Sequence, residues 1–386
     1  MYCDARIPKS ASTIMVAMLL GGCVASEPLR PDEVAAGNGS ATLAPTAEEG
    51  RLWVQAEEID KALQKSDALY GNAATTSYVQ GVMEKLYPEF KGKIRVDVVR
   101  SPEFNAFALP NGSVYINTGL LAKLGNEAQL ATVLGHEATH FIHRHQLNEV
   151  RNVKSMSVFA LGVALAGIPL AGDLIAISSI YGYSRDMERD ADATGFQRLQ
   201  AAGYDVRESV AVFESMLKEV KELDIDQPIF FSSHPRLQER IDSFRQLSAK
   251  TPIGGVTSRE QYVAAMRDVY VDDLETQLRL ARYKAVIYLL EDSSRRSLYP
   301  SHADYFLGEA YRQRDDKDDK SKAEAAFRRA LVQAPNYAPT YRALGVLLYM
   351  QKRYPEARNF LEQYLQRAPN ASDRSYVDQY LTNIKK

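Results

Sequence analysis

The 386-residue chain sets 47 Lys and Arg against 49 Asp and Glu, a formal net charge of −2, with 45% hydrophobic and 25% charged residues. No basic excess or block is present to track a phosphate backbone, so no nucleic acid is expected among its partners. The composition is that of an ordinary globular protein, and the length leaves room for two or three domains.

The chain opens with a targeting pattern. Arg6 and Lys9 precede an apolar run from Ala11 to Leu20, which ends in Leu20-Gly21-Gly22-Cys23. Residues 1–22 resemble a bacterial lipoprotein signal peptide, in which a small residue precedes an invariant cysteine. The resemblance implies that Cys23 becomes the lipidated first residue. In lipoproteins of enteric type, Asp at the next position favours inner-membrane retention. Here that residue is Val24, which implies an anchor in the outer membrane. Cys3 would leave with the leader, so the mature chain has no pair for a disulfide and depends on core packing. Residues 23–50, rich in Ala, Pro, Gly, Ser and acidic side chains, read as a flexible tether.

Beyond the tether, Leu52, Ala56, Ile59 and Leu63 recur at helical spacing from Arg51 onward. A second helix is expected over Thr76 to Leu86. Ile94 to Val99 alternates like a strand. Asn111-Gly112 lies between two β-prone runs, Ala106 to Leu109 and Ser113 to Ile116, and predicts a hairpin. A long helix is expected over Asn126 to Leu147. Val158 to Ile180 has almost the length of a membrane span, but Pro169, Gly172 and Asp173 interrupt it. It reads as packed helices or a lid rather than a transmembrane helix. Helical pattern returns through Met187 to Ala202, ended by Gly203, and through Val206 to Leu223.

The most specific signal is His136-Glu137-Ala138-Thr139-His140, an H-E-x-x-H inside the long helix. Positions i and i+4 lie one above the other on a helix face, so two imidazoles can reach one zinc ion. Glu137 then stands beside the metal, placed to take a proton from water, which is the working set of a zinc peptidase. Leu130, Val133, Leu134 and Phe141 make one face of this helix apolar and place it in a core. A catalytic zinc ordinarily takes a third protein ligand, and the candidates are His143, His145, Glu188, Asp190, Asp192 and His234. His143, at i+7 from His136, sits too far along the axis to close a tetrahedron. His143 and His145 are expected to be exposed or to line a cleft. The stretch Tyr183 to Asp192 is the better source, because a carboxylate on a second, antiparallel helix can complete a His2Glu site.

Taken together, H-E-x-x-H and Ser184-Arg-x-x-Glu188-x-x-Ala191-Asp192 resemble the HtpX and CAAX-prenyl-protease family of zinc metallopeptidases. The resemblance spans about Arg51 to Leu247. It implies one zinc per chain on His136, His140 and Glu188, with Asp192 hydrogen-bonding a ligand histidine and fixing its tautomer. Asn105, Ala106, Phe107 and Ala108, with the following turn, resemble the strand before the catalytic helix, and such an edge can bind an extended peptide. Ser233-His234-Pro235 resembles the family's His-Pro motif. His234 is then expected either to stabilise the tetrahedral intermediate or to cap the zinc in a resting state. Asp190 stands where the family often has Glu.

The tail repeats itself. Leu307, Gly308, Tyr311, Ala323, Phe327, Ala330 and Pro335 fit a tetratricopeptide template, and Tyr341, Leu344, Gly345, Ala357 and Pro369 fit the next unit. A short insertion falls at Asp315 to Asp319, a degenerate unit precedes over Val269 to Pro300, and Asp373 to Ile384 reads as a capping helix. The expected fold is α+β and mainly helical: a gluzincin-like domain with a small β-sheet over 51–250, then a helical repeat solenoid over 266–386. The layout is similar to that of periplasmic BepA-like proteins, which are typically soluble, whereas the leader here predicts a lipid anchor. It implies an endopeptidase for misfolded or stalled envelope proteins, with repeats that recruit substrate or outer-membrane assembly machinery. The alternative is a chaperone or scaffold with a latent protease site. An integral-membrane prenyl protease is excluded because only one marginal span candidate exists.

Overall fold

Helix α1 (Ala47–Lys65) begins a turn before the expected Arg51 and lays Leu52, Ala56, Ile59 and Leu63 against one face of a three-stranded sheet. The structure is a computed structural model and describes residues 47–152, 183–224, 234, 236–299 and 302–384. The expected leader, most of the expected tether and the Val158–Ile180 run lie outside the described residues. No helix among the described residues is long and apolar enough to cross a membrane.

Helix α2 (Ala73–Leu86) starts before the expected Thr76, because the Asn72 side chain accepts hydrogen bonds from Ala74 N (3.1 Å) and Thr75 N (3.2 Å). Strands β1 (Arg95–Val99), β2 (Ala106–Ala108) and β3 (Ser113–Asn117) form a sheet of order β1-β3-β2. β1 runs parallel to β3, whereas β2 and β3 form the expected hairpin, with Ala106 opposite Ile116 and Ala108 opposite Val114. β3 is buried on both faces. Val114 and Ile116 face the main core and Tyr115 faces α1, where its hydroxyl donates to Asp60.

The short helix α3 (Thr118–Lys123) leads to α4 (Glu127–Ile142), capped by Asn126, whose side chain accepts from Gln129 N at 3.0 Å. Nearly every residue of α4 from Ala128 to His140 is buried, so this helix is the axle of the domain, with α2 and β2 packed on it. Burying side chains the size of Leu130, Val133 and Leu134 contributes about 1.5–3 kcal/mol each. The helix expected to reach Leu147 instead stops at Ile142. Arg144 takes a left-handed backbone (φ +56°), and α5 (His145–Asn152) sets off in a new direction.

Helices α6 (Arg185–Ala201), α7 (Glu208–Leu223) and α8 (Leu237–Ala249) complete the first domain. Ser184 caps α6 by accepting from Met187 N at 3.4 Å. Gly203 ends it at φ +80°. Helices α4 and α6 cross where Gly135 meets Gly195. A Cβ on Gly195 would lie 3.1 Å from both Gly135 C and His136 N, so the two backbones touch.

Helices α9 (Arg259–Ala265) and α10 (Arg267–Arg279) lie against α3: Tyr262 Oη donates to Leu121 O at 2.6 Å. Tyr299 Oη donates to Ala122 O at 3.3 Å, and Lys123 pairs with Glu219 at 2.5 Å. Helices α11 (Tyr283–Glu291), α12 (Ser293–Arg296), α13 (Ala303–Arg314), α14 (Asp319–Gln333), α15 (Ala338–Met350), α16 (Tyr354–Arg367) and α17 (Arg374–Ile384) follow. The pairs α13/α14 and α15/α16 carry the repeat positions read from sequence, with the Asp315–Asp319 insertion at the turn of the first pair. A Cβ at Gly308 would sit 2.5 Å from the Phe327 ring, so the template residues pack on each other.

Candidate metal centre

Because α4 and α6 touch at Gly135 and Gly195, one and two turns of α6 further back lie directly over the H-E-x-x-H. His140 on α4 faces Glu188, and His136 faces both Glu188 and Asp192. The helices therefore run antiparallel, as the sequence led us to expect. His136 Nε2 and His140 Nε2 stand 3.0 Å apart. Glu188 Oε1 lies 3.4 Å from His140 Nε2, and Glu188 Oε2 lies 3.6 Å from His136 Nε2. His234 joins the group, its Nδ1 lying 3.1 Å from His136 Nε2 and 2.9 Å from Glu188 Oε1. The four ligand atoms all fall within 4.8 Å of one another, and all four residues are buried.

This grouping suits a cation better than a hydrogen-bond network. His136 Nδ1 lies 2.9 Å from Asp192 Oδ1 and 3.0 Å from Arg240 Nη2; in the tautomer whose Nδ1–H donates to the carboxylate, Nε2 is left as a lone pair facing the His140 ring nitrogen. Glu188 Oε2 has no hydrogen-bond partner among the described residues. Burial lowers the pKa of both His136 and His140 well below the usual imidazole range, so the rings are neutral. Burial alone would raise the Glu188 carboxyl, but the neighbouring His234 outweighs it and holds the group ionised. Neutral imidazoles and a carboxylate converging in a dry site are the donor state a divalent metal requires.

Glu137 is fully buried beside this group, and burial pushes its carboxyl up to about 7. Neither of its oxygens closes a hydrogen bond of normal geometry. It is faced by His234 Nε2, 3.4 Å from Oε1, and by the Ala108 backbone of β2. β2 is thus the sheet edge nearest Glu137. Asn105, Ala106, Phe107 and Ala108 are all buried here, and Gln146 Nε2 lies 3.4 Å from Ala108 O on that edge.

Three participants were not assigned from sequence. Arg240 on α8 is buried and donates to both oxygens of Asp192, Nη2 to Oδ1 at 2.6 Å and Nε to Oδ2 at 3.0 Å. It falls six residues after His234, and its place on the buried face with Ile241 and Phe244 was the available signal. Tyr183 stacks on the His140 ring with centroids 3.6 Å apart. His145, expected to be exposed or cleft-lining, is 5% exposed and bonded to His140 Nδ1 at 2.9 Å, because the break at Arg144 folds it back. His143 is half-buried against Asp190, as partly exposed side chains at the mouth of the same network.

Two imidazoles from one helix and a carboxylate from an antiparallel second helix define a domain of metallopeptidase type. Residues 73–248 match the model of peptidase family M48, and residues 316–378 match a tetratricopeptide repeat model. The chain therefore carries a peptidase family M48 domain with tetratricopeptide repeats behind it. A mitochondrial metalloendopeptidase OMA1 of Arabidopsis thaliana is 31% identical over 170 residues, covering 43% of this chain and 33% of the relative. Its counterpart in Schizosaccharomyces pombe is 29% identical over 193 residues, covering 48% and 56%. The beta-barrel assembly-enhancing protease of Escherichia coli K12 is 24% identical over 278 residues, covering 62% and 57%. The chain thus spans from a third to rather more than half of the length of these curated relatives.

Proposed function

We propose that this chain is a zinc-dependent endopeptidase of the bacterial periplasm, anchored to the outer membrane through Cys23, that degrades misfolded or stalled envelope proteins. The observation that carries the reading is the convergence of His136, His140 and Glu188 beside an ionisable Glu137 whose oxygens close no hydrogen bond of normal geometry. Zinc fits two imidazoles and one carboxylate, one ion per chain. When bound, it would polarise the scissile carbonyl and ease the ionisation of water. Glu137 takes the proton of the attacking water and passes it to the leaving amine nitrogen. Asp192, held by Arg240, fixes the His136 tautomer. The β2 edge, residues 105–108, lies alongside Glu137, where an extended peptide would add as a further strand once Gln146 gives way. The leader supports the envelope address. One relative's name, beta-barrel assembly-enhancing protease, supports an envelope substrate and a role for the repeats in recruiting it or an assembly machine.

One observation favours a second reading, a chaperone or scaffold with a latent site. His234 offers a fourth donor where substrate would need an open position, its Nδ1 3.1 Å from His136 Nε2. Zinc content of the purified chain, beside rescue of an envelope-assembly defect by wild type and by Glu137→Gln, tests both. One zinc per chain with rescue by wild type alone supports the protease. Equal rescue by both supports the scaffold, and no zinc in wild type overturns the metal assignment.

A further inference from the structure

His145, His143 and Asp190 form a second cluster that the ligand set does not use. His145 Nδ1 lies 2.9 Å from His140 Nδ1, and His145 Nε2 lies 3.1 Å from Asp190 Oδ2. His143 Nδ1 bonds the same carboxylate oxygen. The backbone contrives this contact. On a continuous helix, His145 would project about 140° around the axis from His140. Instead, Arg144 adopts a left-handed conformation, uncommon and strained for a residue with a Cβ. That residue ends α4 and brings His145 back onto the buried side of His140.

The proton positions then follow by elimination. If His140 presents a lone pair at Nε2 to a metal, its proton is on Nδ1 and is donated to His145 Nδ1. His145 must then carry its own proton on Nε2, which it donates to Asp190. The geometry points to a positioning relay, Asp190–His145–His140, that fixes the tautomer and ring plane of His140 as Asp192 does for His136. This rests on the ligand assignment proposed above. Tyr183, stacked on the His140 ring, restrains its plane.

A second cation on His143, His145 and Asp190 is the rival, since these three also converge. It would need the lone pair of His145 Nε2. His145 would then hold its proton on Nδ1 and present it to His140 Nδ1, forcing the His140 proton onto Nε2, where the first metal would sit. The two arrangements exclude each other for neutral rings, and the more deeply buried site prevails.

The test is zinc affinity of the full chain, read by competition with a chelator of known affinity. It compares wild type, His145→Asn, His145→Leu, Asp190→Asn and His140→Ala. Asn keeps an acceptor near the place of Nδ1, whereas Leu fills similar space without one. We expect His145→Leu to weaken zinc about tenfold or more and Asp190→Asn to weaken it less, the usual range for loss of a partner to a ligand histidine being about 10–100-fold. His145→Asn should stay within about threefold of wild type, on the same principle. Equal affinities for the Leu and Asn variants, whether both weak or both tight, overturn the relay. So does a second zinc in wild type that Asp190→Asn removes. If His140→Ala leaves zinc binding unchanged, the ligand assignment fails and the relay falls with it. If His140→Ala abolishes binding while His145→Leu does not alter it, only the relay falls.

Discussion

Gly135 and Gly195 meet backbone to backbone, and that contact sets the distance between the helix bearing the two imidazoles and the helix bearing the carboxylate. The Cβ that Gly195→Ala adds would sit 3.1 Å from Gly135 C and His136 N, against main chain that cannot rotate away. The helices must part, and overpacking of this kind costs about 1–3 kcal/mol. We expect Gly195→Ala to lower the melting temperature and to weaken zinc binding together. Lower stability with unchanged zinc affinity would show that the crossing does not set the site.

Glu137→Gln is nearly the same shape and cannot take a proton. It should retain the zinc content of wild type and lose cleavage of an unfolded substrate. Removing the metal with a chelator should lower the melting temperature of both proteins alike, because a ligand bound only by the folded state stabilises it by mass action. Cleavage by the variant at the wild-type rate would remove Glu137 from the reaction.

The Arg240–Asp192 pair is buried at both ends. Arg240→Met leaves the Asp192 carboxylate dry and without its main countercharge, which should cost about 3–5 kcal/mol in denaturant unfolding. Adding Asp192→Leu to that variant should restore much of the stability but not the metal affinity, since His136 then loses the acceptor for its Nδ1 proton. A double variant no more stable than Arg240→Met would contradict this account.

Asp273 on α10 carries a different signature. Burial pushes its carboxyl up from 3.8 to about 6, against the opposing pull of Lys123. Between those values the folded chain holds more protons than the unfolded one, so stability falls as pH rises through that window. Two pKa units correspond to about 3 kcal/mol. Asp273→Asn keeps the shape and removes the charge. It should stabilise the chain by about 2–3 kcal/mol at pH 7.5 and hardly at all at pH 4, read by unfolding at both.

The parts of the site that a sequence shows are those fixed by local spacing. His136 and His140 share a helix face whatever surrounds them. Asn111-Gly112 makes a turn of two β-prone runs, and Gly308 and Gly345 recur at repeat offsets. What sequence hid depends on tertiary choices. His143-Arg144-His145 contains neither Gly nor Pro, so nothing local announces a helix end, yet Arg144 turns left-handed and buries His145. Arg240 reads as a solvated helix charge until Asp192 arrives from another helix 48 residues away. Gly135 and Gly195 look like two weak points in helices, because their value lies in meeting each other.

The peptidase match stops at residue 248 and the repeat match starts at 316, but the packing has no seam there. One apolar cluster runs without interruption from Val79 in α2 to Ala357 in α16. Tyr262 and Tyr299 reach across it to the carbonyls of Leu121 and Ala122 in α3, whose first residue directly follows β3. In a calorimeter the two regions should therefore absorb heat as one peak. A peptidase fragment cut at residue 250 would lose the phenol groups that hold α3 in place. Anything that pulls on the repeats would be felt, through α3, at the strand that pairs with the β2 edge.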